Sequence, residues 1–158
     1  MADAREMKQA KVAFSTLCEM LDDRKWHYRR DDDKLTITCG VNGDDIAINV
    51  LMKIDPEKQL LVFYSTMPFE APENRRDEMA VAVSRANWGM VDGSFDFNYL
   101  NGKILFRLTS SIRDSLVGKE MFAYVLDVAV STVDDYNDKF EKVVNSNMSI
   151  DDVIKFIE

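Results

Sequence analysis

Apolar residues at Met7, Ala10, Phe14, Leu17, Cys18 and Leu21 recur at three- and four-residue steps, one stripe of a helix that ends near Asp22-Asp23. The period then changes to two. Trp26 and Tyr28 alternate with His27 and Arg29 as in a half-buried strand, and Asp31-Asp32-Asp33 turns the chain. Leu35, Ile37 and Cys39 continue the alternation, and a turn at Asn42-Gly43 leads to the next strand. Ile46, Ile48, Val50 and Met52 form the most regular alternation in the chain. Asp55-Pro56-Glu57 is a further turn, in which proline pre-sets φ. The run from Gln59 to Met67 is apolar on both faces, which places it centrally in a sheet.

A helical period returns after these four strands. Pro72 suits the first helical position, where its missing amide proton costs nothing, and Met79, Val83, Ala86 and Met90 make the buried stripe. A hairpin follows, with Phe95, Phe97 and Tyr99 facing Ile104, Phe106 and Leu108 across a turn at Asn101-Gly102. A long helix from about Lys119 carries Phe122, Val125, Leu126, Ala129, Val133, Tyr136, Phe140 and Val144. Ser149 with Asp152 three residues on is a capping box for a short last helix through Ile150, Val153, Ile154 and Ile157. The order α-ββββ-α-ββ-α-α predicts an α+β fold: a largely antiparallel sheet of about six strands, with helices packed on one face. No repeat, low-complexity tract or Pro/Gly-rich linker divides the chain, so 1–158 is read as one domain.

At 158 residues the chain can bury a core without disulfides or metal. Its net charge of −8, from 20 basic and 28 acidic residues, argues against nucleic acid, which requires a basic face to release phosphate counterions. The two Arg-Arg pairs, Arg29-Arg30 and Arg75-Arg76, sit beside acids. Cys18 and Cys39 fit no metal or redox spacing and read as small buried hydrophobes in a reducing compartment. Met1-Ala2-Asp3-Ala4-Arg5 carries no apolar signal segment and no apolar run is long enough to cross a bilayer, so a cytoplasmic location without membrane contact is expected.

No catalytic residue, metal site or cofactor is expected. The chain lacks a Gly-x-Ser-x-Gly elbow, an HExxH pair, a phosphate-binding glycine loop and a dinucleotide fingerprint. The single histidine, His27, alternates away from Trp26 and Tyr28 and belongs on the polar face. Asp96-x-Asn98-x-x-Asn101-Gly102 superficially matches a calcium loop, but Arg107 stands where the bidentate glutamate belongs and strands replace the flanking helices. The paired acids at Asp22-Asp23, Asp31 to Asp33, Asp44-Asp45 and Asp134-Asp135 serve turns and solubility.

Pro72, Arg76, Asn87, Gly93, Phe95, Asp96, Gly102, Ile104, Phe106 and Arg107, with this element order, give the chain its family likeness. It resembles the YbjN-like family, described as bacterial sensory transduction regulators, and through it the type III secretion chaperone-like fold. The resemblance implies a small acidic cytoplasmic protein, often dimeric, that binds another protein and does not catalyse. The matching residues read as structural, with Arg76 and Arg107 as buttressing ion pairs. The long C-terminal helical stretch departs from a dedicated secretion chaperone.

The open face of the sheet carries the functional expectation. If Ile48, Val50, Phe95 and Ile104 point to the helices, Leu51 and Leu105 point away from them. One set of the central strand joins them, either Leu60, Val62 and Tyr64 or Leu61, Phe63 and Met67. Apolar residues there imply a cover: a second subunit, a client polypeptide, or the C-terminal helices wrapping round. The expectation is a partner-binding surface at Leu51, Leu105, Leu60, Val62 and Tyr64, compatible with a homodimer, with acidic rims favouring a basic or amphipathic client. The rival is a small-molecule site or small enzyme with a pocket between the second helix and the hairpin, walled by Arg76, Asn87, Trp88 and Asp96. A third reading is an adaptor subunit of a larger assembly.

Overall fold

The computed structural model describes residues 2–157; Met1 and Glu158, the ends of the expected domain, lie outside the described residues. Helix α1 (Ala4–Asp23) precedes strands β1 (Arg29–Asp31), β2 (Thr36–Asn42), β3 (Ala47–Asp55) and β4 (Leu60–Glu70). A 3₁₀ turn (Glu73–Arg75) leads to α2 (Arg76–Trp88), then β5 (Ser94–Asn98), β6 (Lys103–Ser111), α3 (Lys119–Asn145) and α4 (Ile150–Phe156). The strands form one antiparallel sheet in the order β1-β2-β3-β4-β6-β5. The fold is therefore α+β with the expected element order.

The first and third hairpin connections use one device. The Asp31 carboxylate accepts from the amides of Asp33 and Lys34, and that of Asp55 from Glu57 and Lys58. Each turn then closes through a left-handed residue, Leu35 (φ 51) and Gln59 (φ 55). In the hairpin between β5 and β6 the left-handed residue is Gly102 (φ 77), whose missing Cβ would lie 2.0 Å from the Ala71 carbonyl oxygen. The expected tight turn at Asn42-Gly43 is longer, and it is braced from outside: Asp134 of α3 accepts from the Asp44 amide at 3.0 Å.

All helices lie on one side of the sheet. Ile37, Ile48, Val50, Met52, Leu61, Phe63, Ile104 and Phe106 point into that layer and are at most 3% exposed. Phe95 is its aromatic hub. Its ring meets Phe106 at 5.1 Å, Phe140 of α3 at 4.9 Å and Tyr136 at 5.5 Å, all edge-on, the geometry that aligns ring edges with ring faces.

Four sequence expectations shift. Trp26 and Tyr28 precede the sheet, because α1 closes with the Trp26 amide donating to the Leu21 carbonyl and Lys25 left-handed (φ 59), and β1 starts only at Arg29. Pro72 opens the 3₁₀ turn and not α2 itself, since Arg75 breaks helical geometry at φ −124° to reach inward. Tyr99 lies in the hairpin turn and donates to Asp77, and Leu108 lies opposite Phe63. In α4, Val153 and Ile157 are buried, whereas Ile150 and Ile154 stay 43% and 41% exposed.

Arg75, only 8% exposed, pins the linker between α3 and α4, while α4 itself packs against α2 through buried Val153 and Ile157. The Arg75 guanidinium donates twice to the Val143 carbonyl near the end of α3 and once to Met148 in the following linker, and it pairs with Glu78 at 3.2 Å. The carbonyls at a helix C-terminus have no intrahelical donors, so a buried guanidinium with its planar fork is well matched to them. Arg75→Met is expected to cost about 3 kcal/mol in urea unfolding, because a buried carbonyl, a part-buried one and a carboxylate lose their donor. Hydrogen exchange should accelerate first in α4, and Arg75→Lys should recover little of the loss.

Candidate functional site

The strand registers divide the sheet's side chains between its two faces. Leu51 stands opposite Tyr64, Lys53 opposite Val62, Asp55 opposite Leu60 and Thr66 opposite Leu105. Leu60, Val62 and Tyr64 therefore share the outer face with Leu51 and Leu105, while Leu61, Phe63 and Met67 point to the helices. Because successive strand residues alternate, no intermediate assignment exists. Val62 is 7% exposed; Leu51, Leu60, Tyr64 and Leu105 are half-buried by their neighbours on the same face. The C-terminal helices do not wrap round to this side. α3 packs on the inner face of the sheet, and α4 packs against α2.

A shallow open trough of about 1090 Å³ crosses this face. Leu51, Tyr64 and Leu105 form its apolar floor, Pro68 rises on one side and the segment His27 to Arg29 on the other. The sequence explains both walls. Between Thr66 and Glu70 strand β4 carries more residues than β6 opposite it, so the strand bulges and lifts Pro68, which a regular interior strand would exclude. His27 and Tyr28 stand up because the chain has left α1 and joins the sheet only at Arg29, the first residue of β1. Gly40 leaves the floor open, since a Cβ there would meet nothing within 4 Å.

The charges on this face are largely internally matched. Arg107 makes a two-point bond to Asp96 at 2.8 and 3.0 Å, the geometry of a planar fork on a carboxylate. Lys34 pairs with Asp31 at 3.4 Å and Lys53 with Asp55 at 4.0 Å. The expected acidic rims are thus absent from the trough. Acid collects instead around Asp44, Asp45, Asp134, Asp135 and Asp138, where the β2–β3 connection meets α3. Among the described residues, no group of three or more His, Cys, Asp or Glu side chains could hold a metal ion.

The four residues of the rival pocket are not brought together. Asp96 points to the outer face with Arg107, Trp88 is 86% exposed at the end of α2, and Asn87 lies on the helix side with Arg76 a helix-length away. Alternation within β5 separates Asp96 from its neighbour Phe95, so a wall shared by Asn87 and Asp96 would have to pass through the sheet. Asn87 instead closes the sheet's edge. Its side-chain amide donates to the Phe95 carbonyl at 2.9 Å and accepts from the Phe95 amide at 2.8 Å, as an adjoining strand would. At the opposite edge β1 is three residues long. Neither edge offers a long unpaired ladder.

Burial holds both cysteines as thiols. It pushes Cys39 up to about 11 and raises Cys18, with Arg30 pulling Cys18 back in part. Sequence reasoning missed Arg75, whose signal was only a basic residue just after Pro72, and it took the neighbouring Arg76 as the buttress. No helix among the described residues is long and apolar enough to cross a membrane.

A family model described as "YbjN: Putative bacterial sensory transduction regulator" matches residues 14–142. The crystal structure of YbjN from E. coli superposes with a TM-score of 0.57 at 14% identity, covering 80% of this chain and 92% of that one. A chain of the HopA1–SchA chaperone–effector complex gives 0.55 at 9% identity, covering 87% and 99%. A chain of the ExsC–ExsE complex gives 0.52 at 14%, covering 80% and 91%. At these identities the likeness is one of fold. No curated protein matches the chain in sequence.

Replacing Asn87 by Leu removes both edge bonds and leaves the Phe95 amide and carbonyl without partners. The expected result is a stability loss of about 2 kcal/mol in chemical unfolding, together with concentration-dependent association in light scattering as the opened edge pairs with other copies.

Proposed function

The chain belongs to the YbjN family, and from that premise we propose that it is a non-enzymatic binding module with a regulatory or chaperone-like role, acting as one unit over 1–158 in the cytoplasm. Its ligand is a partner polypeptide laid across the open sheet face. One observation carries the reading: Leu51, Tyr64 and Leu105 floor a trough that no helix among the described residues covers.

Physical arguments favour a segment of polypeptide over a compact ligand. The trough spans several strands and lies open to solvent, whereas small-molecule sites enclose most of their ligand. Because the charges on the face are matched with each other, a partner gains chiefly by burying apolar surface, at roughly 25 cal/mol per Å². The partner's own charges then lie at the rim, where Arg29 has no ion-pair partner among the described residues. With β1 short and β5 closed by Asn87, side-chain contact on the face replaces strand addition at an edge. The fold likeness to chains of the HopA1–SchA and ExsC–ExsE complexes supports the same reading. A second copy of the chain is the other polypeptide that could occupy the face.

Peptides selected from a displayed library against the immobilised protein test the proposal. Enriched peptides are expected to carry alternating apolar residues, and Leu51→Asp and Leu105→Asp should each weaken them by about tenfold or more. Both variants should keep the wild-type circular dichroism. Sedimentation of the same proteins reports the homodimer, which should dissociate in the variants if the second copy sits on this face. Peptide binding and self-association unchanged in both variants would falsify the reading.

A further inference from the structure

The helix layer has an uncovered apolar surface of its own. α1 turns Ala10, Ala13, Phe14 and Leu17 inward but leaves Val12 51% exposed. Beside it, the segment between β6 and α3 presents Leu116, 96% exposed. This segment is anchored to α1. The Gln9 side-chain amide donates to the carbonyls of Ile112 and Ser115, and Arg5 pairs with Asp114 at 2.7 Å. Anchors at Asp114 and Ser115 thus hold Leu116 out in water, where an apolar side chain gains nothing unless something covers it.

Two shallow grooves flank the ridge made by Lys8 and Val12. One, of about 470 Å³, lies between α1 and the anchored segment and reaches Leu116 and Val117. The other, of about 520 Å³, runs along the opposite flank of α1 past Met7 and Lys11. A ridge with a groove on each side is the surface that one helix offers another.

Charge selects the occupant. The chain carries −8 overall, yet this surface holds Arg5, Lys8 and Lys11. Asp114 neutralises Arg5, and Glu6 is turned back onto the Asp3 amide in the helix cap. Lys8 and Lys11 have no ion-pair partner among the described residues. An unpaired basic pair beside exposed Val12 and Leu116 complements an acidic segment with an apolar stripe, and repels a basic one.

We propose that α1 and the β6–α3 segment form a second binding surface, which takes an acidic amphipathic helix of a partner polypeptide. Its apolar residues would seat against Val12 and Leu116, with its carboxylates over Lys8 and Lys11. The surface is on the helix layer, so this inference does not rest on occupancy of the sheet face.

Two synthetic helical peptides with the same leucine stripe, one with glutamates on the polar face and one with lysines, provide the test by fluorescence anisotropy. The acidic peptide is expected to bind about tenfold or more tightly than the basic one, with an affinity that falls as salt is added. Val12→Asp and Leu116→Asp should each weaken it by about tenfold, and Lys8→Glu with Lys11→Glu should reverse the preference between the peptides. Leu51→Asp should leave it unchanged. Thermal unfolding establishes that each variant is folded, as expected for exposed positions. No binding of the acidic peptide, or equal binding of both peptides, overturns the proposal. So does binding that survives Leu116→Asp but is lost in Leu51→Asp, which would assign the peptide to the sheet face.

Discussion

The architecture depends on the edge-on packing of Phe95 against Phe106 and Phe140. These contacts seat α3, the longest helix, against the β5–β6 hairpin. Each such aromatic pair contributes about 0.5–1.5 kcal/mol beyond the area it buries. Gly93 is part of the same arrangement: it is left-handed (φ 78), and a Cβ there would lie 2.5 Å from the Phe106 ring. Once α3 is seated, α1 packs against it on one side and α2 on the other, with α4 packed against α2 and its preceding linker pinned by Arg75. All the helical surface is then committed to one face of the sheet, which leaves the outer face bare.

That bare face is managed in ways that distinguish it from a defect. Most of its charges are matched within the face, through Asp96–Arg107, Lys53–Asp55 and Lys34–Asp31. Its edges are short or closed, so the backbone does not invite another strand. What remains available is an apolar floor between two raised walls, a surface suited to side-chain contact. The segregation of charge is just as marked, with acid gathered near the β2–β3 connection and an unpaired basic pair on α1. A protein with a single net sign thus presents local surfaces of different character, and partner selection follows the local field more than the total.

Asn87 and Arg75 illustrate how polar side chains hold such a fold together. Neither is part of a cluster of reactive groups. Each satisfies backbone groups that secondary structure leaves unpaired, Asn87 at a sheet edge and Arg75 at a helix end. The same two needs arise wherever a sheet stops or a helix terminates inside a protein.

The element order, the α+β class and the outward direction of Leu51 and Leu105 were determined by the sequence itself, because periods of two and three-to-four residues are local properties of the backbone. The capping box at Ser149 and Asp152 was legible for the same reason. The choice between Leu60, Val62, Tyr64 and Leu61, Phe63, Met67 was not, since both sets are apolar and only the register with β3 and β6 assigns each to a face. Nor could spacing reveal that Asn87 caps Phe95, that Arg75 reaches the end of α3, or that Asp96 lies across the sheet from Asn87. These pairings join residues whose proximity is created by packing. Tertiary structure alone decided which apolar residues stayed uncovered, because exposure is what remains after every helix has found its place.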